Sequence, residues 1–81
     1  MKTALIYTRG NNGYEQLVKC EKYAKEKGYN IIGVTATLDE AFEVFPNVLL
    51  VSDVSRITRN RYDYEMIKKS LDRIGTKIES A

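Results

Sequence analysis

The chain has 81 residues, 43% of them hydrophobic and 30% charged, with a net charge of +2 at pH 7. From this length we expect one domain, 1–81. The small net charge does not by itself indicate a nucleic-acid-binding protein, and no apolar run is long enough for a signal peptide or a membrane span. Cys20 is the only cysteine, so no internal disulfide forms. We therefore expect a cytoplasmic domain with no membrane association.

Strand and helix patterns alternate in the first part of the chain. The run 4–7 is apolar, with β-branched and aromatic residues, and predicts a buried strand. Apolar residues at helical spacing over 14–27, followed by Gly28, predict a helix. Residues 30–34 predict a second strand.

A second, shorter helix is predicted between residues 37 and 46. Thr37 and Glu40 have the spacing of a capping box, and Pro46 would end the helix. We expect its apolar residues to form one buried face: Leu38, Ala41, Phe42 and Phe45.

The last part of the chain repeats the alternation. The unbroken apolar run 48–51 predicts a strand covered on both faces. Asn60 is predicted to cap a third helix, Asp63 to lie in its first turn and Gly75 to close it, before a fourth strand over 76–79. Its buried stripe would be Tyr64, Ile67, Leu71 and Ile74. The alternation predicts a three-layer α/β fold with a four-stranded parallel sheet in the order 2-1-3-4 and helices on both faces.

The arginines are distributed differently from the lysines. Four of the five arginines follow the predicted first and third strands: Arg9, Arg56, Arg59 and Arg61. Most lysines, Lys19 among them, lie among glutamates on the two long helices, which is typical of solvated helix faces. Ligands of open α/β sheets bind at the carboxyl ends of the strands, and guanidinium groups bind phosphate oxygens bidentately. We therefore predict a phosphate or anion site there, to which the first helix adds its free N–H groups. The alternative is that the arginines pair with surface carboxylates: Asp53, Asp63 or Glu65.

Three segments resemble serine recombinases of the resolvase, invertase and large-integrase group. Residues 7–11 read Tyr-Thr-Arg-Gly-Asn, where the family has Tyr-x-Arg-x-Ser. Residues 16–34, with Gln16, Cys20 and Gly28, are similar to the first helix and second strand of the large recombinases. Residues 55–60 read Ser-Arg-Ile-Thr-Arg-Asn, where the family has Asp-Arg-Leu-Ser-Arg-Asn before a helix.

The resemblance implies a resolvase-like catalytic-domain fold in which Arg9, Arg56 and Arg59 hold a DNA phosphate. Further phosphate contacts are expected from three residues: Tyr7, Gln16 and Arg61. In the family a serine attacks the phosphodiester, but Asn11 stands at that position here, and an amide cannot replace a hydroxyl as nucleophile. The chain also departs from the family in its short loop before the first helix. Compared with the family, we expect residues 1–81 to include no stretch with another phosphate-binding arginine, no dimerising helix and no DNA-binding domain.

We therefore predict a degenerate serine-recombinase domain that does not cleave DNA. Its partners would be the DNA phosphate backbone or an active recombinase, and a homodimer remains open. One alternative is a small anion- or partner-binding module without a nucleic-acid role. Another is an active recombinase or nuclease fragment that uses a different hydroxyl: Thr8, Ser52, Ser55 or Thr58. With no histidine and one cysteine, the sequence predicts no metal site and no cofactor.

Overall fold

The computed structural model describes residues 1–81 as four strands that alternate with helices. The elements in chain order are β1 (Thr3–Tyr7), α1 (Gly13–Lys27), β2 (Asn30–Thr35), α2 (Ala41–Val44), β3 (Val48–Val51), a 3₁₀ turn (Val54–Arg56), α3 (Arg61–Arg73) and β4 (Lys77–Ser80). All pairs of neighbouring strands are parallel, and the sheet order is β2-β1-β3-β4. The predicted fold class and strand order are confirmed. None of the helices combines the length and apolar character that crossing a bilayer requires.

Two apolar clusters lie on opposite faces of the sheet, because successive side chains of β1 and β3 point to opposite sides. One cluster contains Leu5 and Leu49 and is covered by Ala41 of α2 and Leu71 of α3. The other contains residues of the same strands and is covered by α1: Ala4, Ile6, Val48, Leu50, Cys20 and Ala24. All four residues of β3 are buried, as predicted for a strand covered on both faces.

The two long helices begin and end where the sequence predicts. Asn60 caps α3, since its Oδ1 accepts hydrogen bonds from the backbone N–H groups of Tyr62 at 2.9 Å and Asp63 at 3.2 Å. Gly28 ends α1 in the left-handed conformation that glycine adopts without strain, with φ 76°. The predicted stripe of α3 faces the sheet: Leu71 is buried, and Tyr64, Ile67 and Ile74 pack partly buried against the same cluster.

The second helix is shorter than predicted, and the capping-box prediction is wrong. Helix α2 begins at Ala41, and its N-terminus has no side-chain cap. The Thr37 backbone N–H donates instead to the Thr35 hydroxyl at 3.1 Å. Phe42 and Phe45, predicted on a buried face, are 38% and 59% exposed. A helix of four residues is too short to turn all of its apolar side chains toward the sheet.

Candidate functional site

A polar pocket opens at the carboxyl ends of β1 and β3, beside the start of α1. Its volume is about 410 Å³, and none of its lining side chains is hydrophobic. They come from α1 and from the segment after β3: Asn12, Glu15, Gln16, Lys19, Ser52, Asp53, Ser55, Arg56 and Arg59. The lining therefore combines three cations with two carboxylates, in the crevice where open α/β sheets bind their ligands. We call it the arginine pocket.

Gln16 holds the loop between β1 and α1 in place. Its side chain is 3% exposed, and its Oε1 accepts a hydrogen bond from the Arg9 backbone N–H at 3.1 Å. Its Nε2 donates to the carbonyl oxygens of Arg9 at 3.0 Å and Asn11 at 2.7 Å. Both N–H groups of the amide are thus occupied by backbone. Gln16, predicted as a phosphate contact, is placed to position the loop that carries Arg9 and Asn11.

Arg56 connects the two loops of the site. Its Nη1 lies 3.5 Å from the carbonyl oxygen of Arg9, to which it donates. Arg9 and Arg56 together line a second depression of about 330 Å³, next to the arginine pocket. Gly10, between Arg9 and Asn11, has a φ of 79°, a left-handed conformation that glycine adopts without strain. Arg56 lines both depressions, so the structure places Arg9, Arg56 and Arg59 along the same edge of the sheet, with Arg56 shared between the two cavities.

None of the arginines forms an ion pair. The chain contains a single salt bridge, between Lys77 and Asp72 at 3.1 Å on the surface. The alternative interpretation, in which the arginines are ion-pair partners of nearby carboxylates, is therefore not observed. Guanidinium groups without a carboxylate partner remain available to an external anion.

Lys19 is exposed, as predicted for a solvated helix face, but it also lines the arginine pocket. Its Nζ donates to the carbonyl oxygen of Ser52 at 3.3 Å and lines the arginine pocket. The residue lies three positions after Gln16, which places both side chains on the same side of α1. That spacing is the signal that could have identified Lys19. Glu15, also missed, lines the pocket from the first turn of the same helix.

Asp53 caps the 3₁₀ turn that presents Arg56. Its Oδ1 accepts a hydrogen bond from the Ser55 backbone N–H at 2.8 Å. This bond, a further one with the Ser55 side chain, and the positive charges of Lys19 and Arg56 lower the pKa of the Asp53 carboxyl. Asp53 is therefore an ionised structural cap and a weak proton acceptor toward Ser55.

The remaining predicted site residues lie outside the arginine pocket. Tyr7 is 1% exposed, packs in the core and lines a separate depression beside Arg9. Arg61 begins α3 and shares a neighbouring groove with Arg59. Asn11 is exposed in the β1–α1 loop, whereas Asn12 lines the pocket.

The four hydroxyls named as alternative nucleophiles are spread along this edge of the sheet. Ser52 and Ser55 line the arginine pocket, and Thr58 lines the depression next to it. Thr8 is anchored through its backbone N–H to the carbonyl oxygen of Thr35 at 2.9 Å. No cluster of three or more potential metal ligands exists in the chain. Cys20 is buried in the core, and this burial raises its pKa to about 11.

No family model matches the sequence, and no curated protein matches it. Two solved structures are similar to the whole chain. The C-terminal catalytic domain of ISC1926 TnpA, an IS607-like serine recombinase, has 24% identity and a TM-score of 0.82, with 96% of this chain and 67% of that chain covered. The N-terminal catalytic domain of TP901-1 integrase has 21% identity and a TM-score of 0.81, with 98% and 76% covered. The chain therefore has the fold of serine recombinase catalytic domains, as the motif resemblance predicts.

Proposed function

We propose that this domain binds the phosphodiester backbone of DNA through Arg9, Arg56 and Arg59 and does not cleave it. The observation that carries the proposal is the convergence of these arginines, none of them in an ion pair, at the carboxyl ends of β1 and β3. The shared fold with two recombinase catalytic domains supports a role related to DNA recombination. The function is therefore that of a degenerate recombinase domain that keeps its phosphate-binding side chains.

The chemistry of the crevice favours a phosphate diester over other anions. Arginine forks bind two oxygens of one phosphate at once, and they stay charged at any physiological pH. Glu15 and Asp53 in the same lining repel a dense anionic charge, so a singly charged diester is accommodated better than a free phosphate group. Lys19 adds a fourth positive charge on the α1 side of the pocket.

The lack of an activated hydroxyl supports binding without cleavage. A hydroxyl nucleophile requires a neighbouring base or another means of lowering its pKa. Ser55 is the pocket hydroxyl beside a carboxylate, but Asp53 is committed to capping and has a lowered pKa. Asn11 offers an amide at the end of the loop, which cannot attack phosphorus.

The test is a titration of duplex DNA at about 50 and about 200 mM salt. We compare the wild type with Arg56→Ala/Arg59→Ala and with Lys22→Ala/Lys25→Ala, which removes the same charge from exposed positions of α1 outside the pocket. Each phosphate contact contributes about one unit to the slope of log affinity against log salt, so the arginine variant should lose about two units. The lysine variant should lose less than about half of that.

Equal losses in the two variants would show that binding reflects only overall charge and would refute the arginine pocket as the site. Absence of duplex binding by the wild type, with thermal stabilisation by inorganic phosphate, would favour the small-anion module. Conversion of supercoiled plasmid to nicked or linear DNA by the purified chain would refute the non-cleaving role. In that case Ser55→Ala and Ser52→Ala would identify the hydroxyl.

A role as modulator would be tested by adding the chain to an active serine recombinase and measuring strand exchange.

A further inference from the structure

The arginine pocket continues into two further depressions along the start of α3. The next one, of about 380 Å³, shares Ser55 and Arg59 with the arginine pocket and is also lined by Tyr64 and Arg61. A third, of about 510 Å³, shares Arg61 and contains Tyr62, together with Glu65, Met66 and Lys69. The shared residues join the three depressions into one surface path, which we call the α3 groove.

The α3 groove combines several cations with one exposed aromatic ring. Five cations line the groove against three carboxylates: Lys19, Arg56, Arg59, Arg61 and Lys69 against Glu15, Asp53 and Glu65. Glu65 is the carboxylate among the residues beyond the arginine pocket. Tyr62 is 74% exposed, although tyrosine ordinarily buries most of its ring. Met66, one turn further along α3, is 54% exposed. The groove therefore offers apolar surface next to cations spaced along a line.

A single-stranded nucleic acid would use both the cations and the exposed apolar surface of the α3 groove. A backbone that follows the cations places its bases beside the exposed ring, and base–aromatic stacking is available to every base of a single strand. In a duplex the base faces are stacked on each other, so only phosphates and base edges reach a protein surface. Duplex binding would use the arginines and leave the Tyr62 ring unpartnered.

We infer that the α3 groove binds single-stranded nucleic acid, with a phosphate in the arginine pocket and a base stacked on Tyr62. The inference rests on the proposed phosphate-binding function and specifies its substrate as an unpaired strand.

The test compares a labelled thymidine oligonucleotide of about 12 nucleotides with the same strand annealed to its complement, by fluorescence anisotropy. We expect the single strand to bind about tenfold more tightly. Tyr62→Ala should weaken single-strand binding about tenfold while changing duplex binding less than about twofold. Tyr62→Phe keeps the ring and should bind as the wild type does.

Tyr14→Ala is the matched control, because Tyr14 is 79% exposed at the start of α1 and lines none of the three depressions. Its single-strand affinity should stay within about twofold of the wild type. Equal affinity for the two DNA forms, or equal losses in Tyr62→Ala and Tyr14→Ala, would overturn the inference. If the single-strand inference is overturned but Arg56→Ala/Arg59→Ala still weakens duplex binding, the proposed binding of the DNA phosphodiester backbone stands. Binding of neither DNA form would overturn both.

Discussion

The two sides of the central β1–β3 pair differ in how tightly they are packed. We call the side of α3 and β4 the consolidated flank. On the flank of α3 and β4, Leu71 is fully buried, and the buried Thr76 hydroxyl donates to the Pro46 carbonyl oxygen at 2.6 Å. The Glu79 carboxylate accepts hydrogen bonds from the hydroxyls of Tyr23 at 2.9 Å and Tyr29 at 2.8 Å. Packing and polar contacts thus fix this flank to the rest of the sheet.

The flank of β2 and α2 is more open. Three apolar residues of the edge strand β2 are each more than one third exposed: Ile31, Ile32 and Val34. Helix α2 spans four residues without a side-chain cap, and Phe42 within it and Phe45 just after it are exposed. An apolar pattern therefore leads to burial only where a helix long enough to cover the strand lies over it. Arg59 and Arg61 stand on either side of the Asn60 cap, so this flank fixes the start of α3 beside the site.

The largest expected difference between the flanks is in core packing. Leu71→Ala removes a side chain that is fully buried in the cluster beneath α3 and should lower the free energy of unfolding by about 3 kcal/mol. Phe42→Ala removes a larger side chain that is 38% exposed and should cost less than about 1 kcal/mol. Urea unfolding followed by circular dichroism measures both.

Leu71→Met is the control for this pair, because it keeps the volume of the side chain and should cost less than about 1.5 kcal/mol. A loss in Phe42→Ala as large as that in Leu71→Ala would show that the β2–α2 flank is as tightly packed as the other. The comparison of the two flanks would then be wrong.

The helix starts provide a smaller contrast. Asn60→Ala removes the acceptor of two backbone hydrogen bonds and should cost about 1 kcal/mol. Thr37→Ala, at the position of the predicted capping box, should cost less than about 0.5 kcal/mol because its hydroxyl caps no helix. Asn60→Asp keeps the acceptor and should remain close to the wild type. Equal losses at positions 37 and 60 would contradict the observed start of α2.

The sequence predicted the order of the elements because each long element carries its own signal. The unbroken apolar run of β3 and the Asn60 cap are local features that no tertiary contact overrides. The start of α2 was mispredicted because Thr37 and Glu40 match a capping box, yet Thr35 provides a competing hydrogen bond to the same backbone N–H. Burial of Phe42 depended on a helix length that a local pattern does not determine.

The site was partly predictable for a related reason. Convergence of arginines from β1 and β3 follows from strand order alone, since parallel strands end at one edge of the sheet. The part played by Lys19 depends on the orientation of α1 above Ser52, a tertiary relation absent from the local sequence. That Gln16 holds the loop through two backbone carbonyls could not be distinguished in sequence from a phosphate contact.

The smallest expected effect is a dependence of stability on alkaline pH that arises from the consolidated flank and the core. The hydrogen bond to Glu79 raises the pKa of Tyr29 to about 12, and burial raises the pKa of Cys20 to about 11. The folded chain therefore holds these protons at a pH where the unfolded chain has released them. The stabilisation is complete below the unfolded pKa values and is lost as the pH rises through the folded ones.

The urea midpoint should accordingly fall as the pH rises from about 9, the lower unfolded pKa, to about 12, the higher folded one. Tyr29→Phe should lower the midpoint slightly at neutral pH, because it removes the hydrogen bond to Glu79, and should make the alkaline decline shallower. Tyr14→Phe, at an exposed ring whose hydroxyl makes no hydrogen bond, should leave the decline unchanged. A decline of the same slope in Tyr29→Phe would show that the Glu79 contact does not hold the flank in solution. The contrast between the two flanks would then rest on apolar packing alone.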